Sequence, residues 1–92
     1  MNSKTIYSAS YRRLVQKLRL LRSDAGLTQS ALAVQLGWPQ QRLSAVEAGA
    51  RRLDIFEFIE LTSQLGLDPI DAVALIDLPK RRARRPKALT GS

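Results

Sequence analysis

Apolar residues fall along this chain in short runs of helical spacing, and the first four runs each stop at a glycine. Leu14, Leu18 and Leu21 are spaced i, i+4 and i+7, which predicts a helix over about Ser10–Ala25 with one buried stripe. Leu32, Ala33 and Leu36 form the inner face of a second helix that follows Thr28, a residue suited to capping an orphan N–H. In the third, Leu43 and Val46 stand three apart. Pro39 is expected at its first helical position, where a missing N–H costs nothing. A fourth helix starts at "DIFE", with Asp54 as cap and Glu57 three residues on, a variant of the capping box, and with Phe58, Leu61 and Leu65 inward. A fifth follows "LDPID": Asp68 caps, Pro69 opens, and Asp71 sits where the helix dipole favours negative charge. Its apolar surface is expected from Ile70, Val73, Ala74 and Ile76, and Pro79 is expected to stop it. Gly26, Gly37, Gly49 and Gly66 close the first four segments, as left-handed residues past a helix end do. No segment alternates strictly, so strands are not indicated.

Charge divides the chain differently. Residues 1–52 are basic, residues 53–79 hold acids and no Lys or Arg, and residues 80–92 are basic again, for a net charge of +7. That distribution points to a polyanionic partner for particular surfaces. "KRRARRPKALTGS" has no apolar period and repels itself, which predicts a disordered tail. The organisation expected is a flexible N-terminus over 1–9, one domain over 10–78 and a basic tail over 79–92. The absence of histidine and cysteine removes a conventional zinc site, a histidine-based triad and thiolate chemistry. No cofactor, metal site or catalytic residue is expected, and the carboxylates already have work as helix caps. "MNSKTIYSAS" shows no secretory pattern and no stretch is long enough to span a bilayer, so the expectation is a cytoplasmic, nucleoid-associated protein and no membrane partner.

Two short helices joined through "LGWP" make a helix-turn-helix candidate, in which the second helix enters the DNA major groove. This accounts for the polar first turn of "GWPQQRLSAVEAG". Gln presents a donor and an acceptor to adenine, and Arg suits guanine. Gln40, Gln41 and Arg42 lie in that turn, with Ser44 and Ala45 one turn on, small enough for close approach. Trp38 either touches a sugar or thymine methyl or packs at the helix entrance.

The stretch "LRLLRSDAGLTQSALAVQLGWPQQRLSAVEAGARRLD" resembles the Xre/Cro/repressor family of small helix-turn-helix proteins, the lambda-repressor-like fold. The resemblance lies in "LR-x-x-R", "GLTQ-x-x-LA-x-x-LG", "E-x-G-x-R" and the glycine gaps, extends through "RRLDIFEFIELTSQLGLDP", and covers roughly residues 10–78. It implies an all-α, five-helix domain that binds double-stranded DNA. It places Gln40 and Gln41 on bases, and Arg42 and Ser44 on bases or backbone. Thr28, Gln29, Arg51 and Arg52 are placed at phosphates, with Gln29 also bracing Gln40. Arg22 and Glu47 are implied as an internal ion pair. Pro39 replaces the small polar residue common in the family.

Arg12, Arg13, Lys17, Arg19, Arg51 and Arg52 are candidate phosphate contacts; about five engaged would give a log–log salt slope near −4.5. The acids of the middle segment are expected on the side away from DNA. The apolar surplus of helices 4 and 5 (Ile55, Phe56, Phe58, Ile59, Leu61, Leu65, Ile70, Val73, Ile76 and Leu78) is expected to form a homodimer interface, through helix 5 first and helix 4 beside it; the alternative is that it completes a five-helix core. The leading reading is a transcriptional regulator, a repressor on a palindromic operator. The rivals are an antitoxin whose apolar strip or tail engages a toxin protein, and an adaptor that no longer reads bases.

Overall fold

The computed structural model describes residues 8–77, which fold into five α-helices, with no strand among them: α1 Ala9–Asp24, α2 Gln29–Leu36, α3 Gln40–Glu47, α4 Ile55–Gln64 and α5 Pro69–Ala74. The basic tail and residues 1–7 lie outside the described residues, as do Leu78 and Pro79. Ser8 caps α1 by accepting from the Tyr11 N–H, so the helix opens at Ala9, one residue before the expected Ser10.

Local chemistry sets most boundaries. Thr28 Oγ1 accepts from the Ala31 N–H at the start of α2. Asp54 and Glu57 form a reciprocal capping box at α4, and Asp68 caps α5 with Pro69 at its first turn. Gly37 ends α2 at φ +73°, where Trp38 N–H and Gly37 N–H turn back onto the carbonyls of Ala33 and Val34. Pro39 departs from expectation. It is the N-cap of α3 (φ −63°, ψ 142°), outside the helix and without a side-chain cap bond. Its ring fixes φ equally well in either place, so what separates the two is ψ, which is extended here.

α3 packs against α1 and α2, α2 also against α4, and α5 against α4. Leu14, Leu18, Leu32, Ala33, Trp38, Leu43, Phe58, Leu61 and Ala72 form the shared core. Trp38 is therefore a packing residue. Thr62 is buried with its hydroxyl donating to the carbonyls of Phe58 and Ile59, which removes the penalty of an unpaired polar group.

The inner face of α5 differs from the expected one. Ala72 is fully buried, and Leu75 and Ile76 just beyond the helix pack on the core, while Ile70 and Val73 face solvent. A helix of six residues has too few turns for spacing to identify its inward side. The apolar surplus thus splits: Phe58, Leu61, Ile59, Leu65 and Ile76 serve the core, and Ile55, Phe56, Ile70 and Val73 remain exposed.

Candidate nucleic-acid interface

α3 has two faces of opposite character. Leu43 and Val46 are almost completely buried, which anchors the helix. Gln40 and Gln41 are exposed at its opening, and Ser44 and Ala45 are half-buried one turn on. Gln40 is held: its Oε1 accepts from Ser30 Oγ at 2.8 Å. Ser30 lies in the first turn of α2, so the openings of α2 and α3 sit side by side, with Thr28 and Ser30 exposed beside Gln40.

Gln29 does not brace Gln40. Its Nε2 donates instead to Glu47 Oε1 at 2.9 Å. Arg22 grips the same carboxylate through Nε to Oε2 (2.7 Å) and Nη2 to Oε1 (2.9 Å), and donates through Nη1 to the Leu27 carbonyl (2.6 Å). The pair is nearly enclosed, with side chains 12% and 6% exposed. The end of α1, the start of α2 and the end of α3 are thereby tied together by one satisfied polar cluster. The carboxylate attracts Gln29 because an ionised acceptor makes a stronger bond than a neutral amide oxygen.

Arg42 is likewise engaged within the protein. Its guanidinium lies 4.9 Å from the Trp38 ring centroid and 3.5 Å from Glu57. Arg51 forms a two-pronged bond to Glu57, each N–O distance 3.1 Å, and the Asp54 N–H donates to Glu57 at 3.0 Å. Glu57 is buried, and its carboxyl is held below the usual range, chiefly by the Arg51 bond and then by the Asp54 N–H. The expectation that the acids of the middle segment all lie away from the basic surface therefore fails at Glu57. The loop that carries these cations is fixed from α1: the Tyr11 hydroxyl donates to the Arg51 carbonyl and accepts from the Leu53 N–H, and Arg52 stacks 5.0 Å over the Tyr11 ring.

Two of the candidate phosphate contacts are engaged elsewhere. Arg13 and Lys17 both bond Asp77, and Lys17 also donates to the Leu75 carbonyl at the end of α5. The Asp77 carboxyl is lowered, first by Arg13 and then by Lys17.

The residues missed from sequence are Ser30, Tyr11 and the pairing role of Glu57. The capping position of Glu57 was a usable signal, because it brings a carboxylate to the start of α4 just after Arg51. Ser30 gives no periodic or motif signal. Among the described residues no cluster of metal-ligating side chains is present and no helix is long and apolar enough to cross a membrane.

One short helix, a glycine turn and a second helix anchored inside with its opening outward define a helix-turn-helix protein. The model of the helix-turn-helix domain family matches residues 13–75. The chain is 42% identical to an Xre-family-like protein from Pseudomonas syringae pv. tomato, covering 78% of this chain and 88% of that one with a TM-score of 0.70. It is also 35% identical over 57 residues (62% of this chain, 74% of the relative) to an uncharacterized HTH-type transcriptional regulator of Sinorhizobium fredii. The chain belongs to the helix-turn-helix family, and within it to the Xre type.

Proposed function

We propose that this protein is a transcriptional regulator that binds double-stranded DNA by seating the opening of α3 in the major groove. It acts as a repressor, as a homodimer on a two-fold symmetric operator. The observation that carries this reading is the exposure of Gln40 and Gln41 above the buried Leu43 and Val46. A rigid inner face and a polar, accessible first turn are what base reading from a helix N-terminus requires. Gln40, Gln41 and Ser44 read base edges. Arg42, held against Trp38 and Glu57, supports α3 and reaches the backbone, not a base. Thr28 and Gln29 at the start of α2, with Arg51 and Arg52 in the loop, approach phosphates and set position, not sequence. Since Arg13 and Lys17 are committed to Asp77, the salt slope per protomer is shallower than the −4.5 that five contacts would give.

Exposed Ile55, Phe56, Ile70 and Val73 favour a protein partner, and a second copy fits the need for two half-sites. The alternative occupant is a toxin, with this chain as antitoxin; a second protein co-purifying at fixed stoichiometry would select it.

The experiment is selection from random duplexes, followed by footprinting. Recovery of one sequence with two-fold symmetry and half-sites about 34 Å apart, or a multiple of that, supports the reading. Equal affinity for all duplexes at moderate salt overturns it.

A further inference from the structure

Glu57 joins the two cation-bearing segments of the interface. Arg42 belongs to α3 and Arg51 to the loop behind it, and both guanidinium groups meet one buried carboxylate whose remaining acceptor capacity goes to the Asp54 N–H. Both side chains stay partly open to solvent, Arg42 at 34% and Arg51 at 41%. A carboxylate offers Arg the same pair of acceptor oxygens that a phosphate does. It therefore stands in the place of a phosphate on these cations.

We propose that Glu57 is a specificity-determining positioning residue, an internal stand-in for phosphate that restrains Arg42 and Arg51 and so weakens binding to arbitrary duplex more than binding to the operator. The inference rests on the DNA-binding reading above. Two arginines with Glu57 carry a net charge of +1, where alone they would carry +2. An arbitrary duplex is held almost entirely through phosphates in no fixed register, so Arg42 and Arg51 must leave Glu57 to follow them. At the operator the base contacts of α3 fix the register in which the restrained arginines meet the backbone. There, arginines already fixed in place lose less side-chain freedom on docking.

The test compares the full chain with Glu57→Gln. Gln is accepted at the third position of a capping box, so the α4 cap is retained, and circular dichroism checks the helix content. Affinity is measured for the selected duplex and for a scrambled duplex of equal length across a range of salt. The expected result is tighter binding of the scrambled duplex, a log–log slope steeper by about 0.9 for each phosphate newly engaged, and a smaller ratio between the two duplexes. Adding Arg51→Ala to Glu57→Gln should bring the slope back toward the wild-type value. Arg51→Lys tests positioning at constant charge and leaves the cap untouched: Lys cannot hold both carboxylate oxygens, so the affinity ratio should fall several-fold. An unchanged ratio in both Glu57→Gln and Arg51→Lys, or weaker binding of the scrambled duplex by Glu57→Gln, overturns the proposal. A wild-type protein with no preference among duplexes instead overturns the DNA-reading assignment, and this inference with it.

Discussion

Arg22 on α1 and Glu47 at the end of α3 meet through two hydrogen bonds of 2.7 and 2.9 Å, and the same carboxylate accepts from Gln29 on α2. The three helices that build and support the reading surface are held at one nearly buried point. Removing either ion leaves the other charge enclosed without its partner, which costs about 3 kcal/mol. Glu47→Ala and Arg22→Ala should each lower the unfolding free energy by about that amount in urea melts, and the double variant should lose less than the sum of the two. Additive losses would show that the pair is not coupled. Gln29→Ala, which leaves the ion pair intact, should cost about 1–2 kcal/mol.

Acid should destabilise the protein through Glu57. Its carboxyl is lowered in the folded state, first by Arg51 and then by the Asp54 N–H. A group whose folded value lies below its unfolded value contributes stability that is present above the unfolded value and lost as pH falls through the folded one. The unfolded value for Glu is about 4.3, so the melting temperature should hold above roughly pH 5 and fall below it. Asp77, lowered by Arg13 and Lys17, adds in the same direction from an exposed site. Glu57→Gln should flatten the acid side of the curve, and an acid limb as steep as in the wild type would count against Glu57 as its source.

Base reading should divide between the glutamines and their support. Gln40→Ala and Gln41→Ala should each relax preference at particular base pairs by about 1–3 kcal/mol in repeated selection experiments. Ser30→Ala removes the bond that holds Gln40 Oε1. It should blur preference at the same base pair as Gln40→Ala, by a smaller amount, and leave the position read by Gln41 unchanged. A loss of affinity equal on every duplex would instead assign these residues to the backbone.

The anchoring of α3 can be separated from its surface. Leu43 is fully buried, and Leu43→Ala should cost about 2–5 kcal/mol in denaturant unfolding. Gly37→Ala is a milder probe. A Cβ there meets nothing within 4 Å, so the cost is only that of a left-handed residue at φ +73°, about 1–2 kcal/mol. A much larger loss at Gly37 would mean that the turn has a tighter neighbour than the structure gives it.

Association should run through the exposed apolar positions of α4 and α5. Light scattering at tens of micromolar should give the mass of two chains, and Phe56→Asp combined with Val73→Asp should give one, with helix content kept because neither residue is buried. A monomeric wild type would remove the homodimer from the proposal.

Much of this molecule is local and so was legible in the order of residues. Thr28, the Asp54–Glu57 box, Asp68 with Pro69, and the glycines after the first four helices act over three or four residues, the range of local capping contacts. The inward stripe of α4 repeats over enough turns to declare its face, and that of α1 does so at Leu14 and Leu18, while Leu21 stays half-buried and Val15 takes a buried place instead. The Arg22–Glu47 pair was implied by the family resemblance, not by spacing. The sequence by itself thus determined five helices, the caps of the second, fourth and fifth, and a polar opening on the third.

Tertiary structure alone decided how the polar side chains were shared out. Gln29 met Glu47 and left Ser30 to hold Gln40; Arg42 and Arg51 met Glu57; Arg13 and Lys17 met Asp77 across the fold. Each choice depends on which of several charged or amide groups arrives within about 3 Å after packing. One-dimensional spacing carries no such distance, because hydrophobic burial places the helices and the long polar side chains then take the strongest partner in reach.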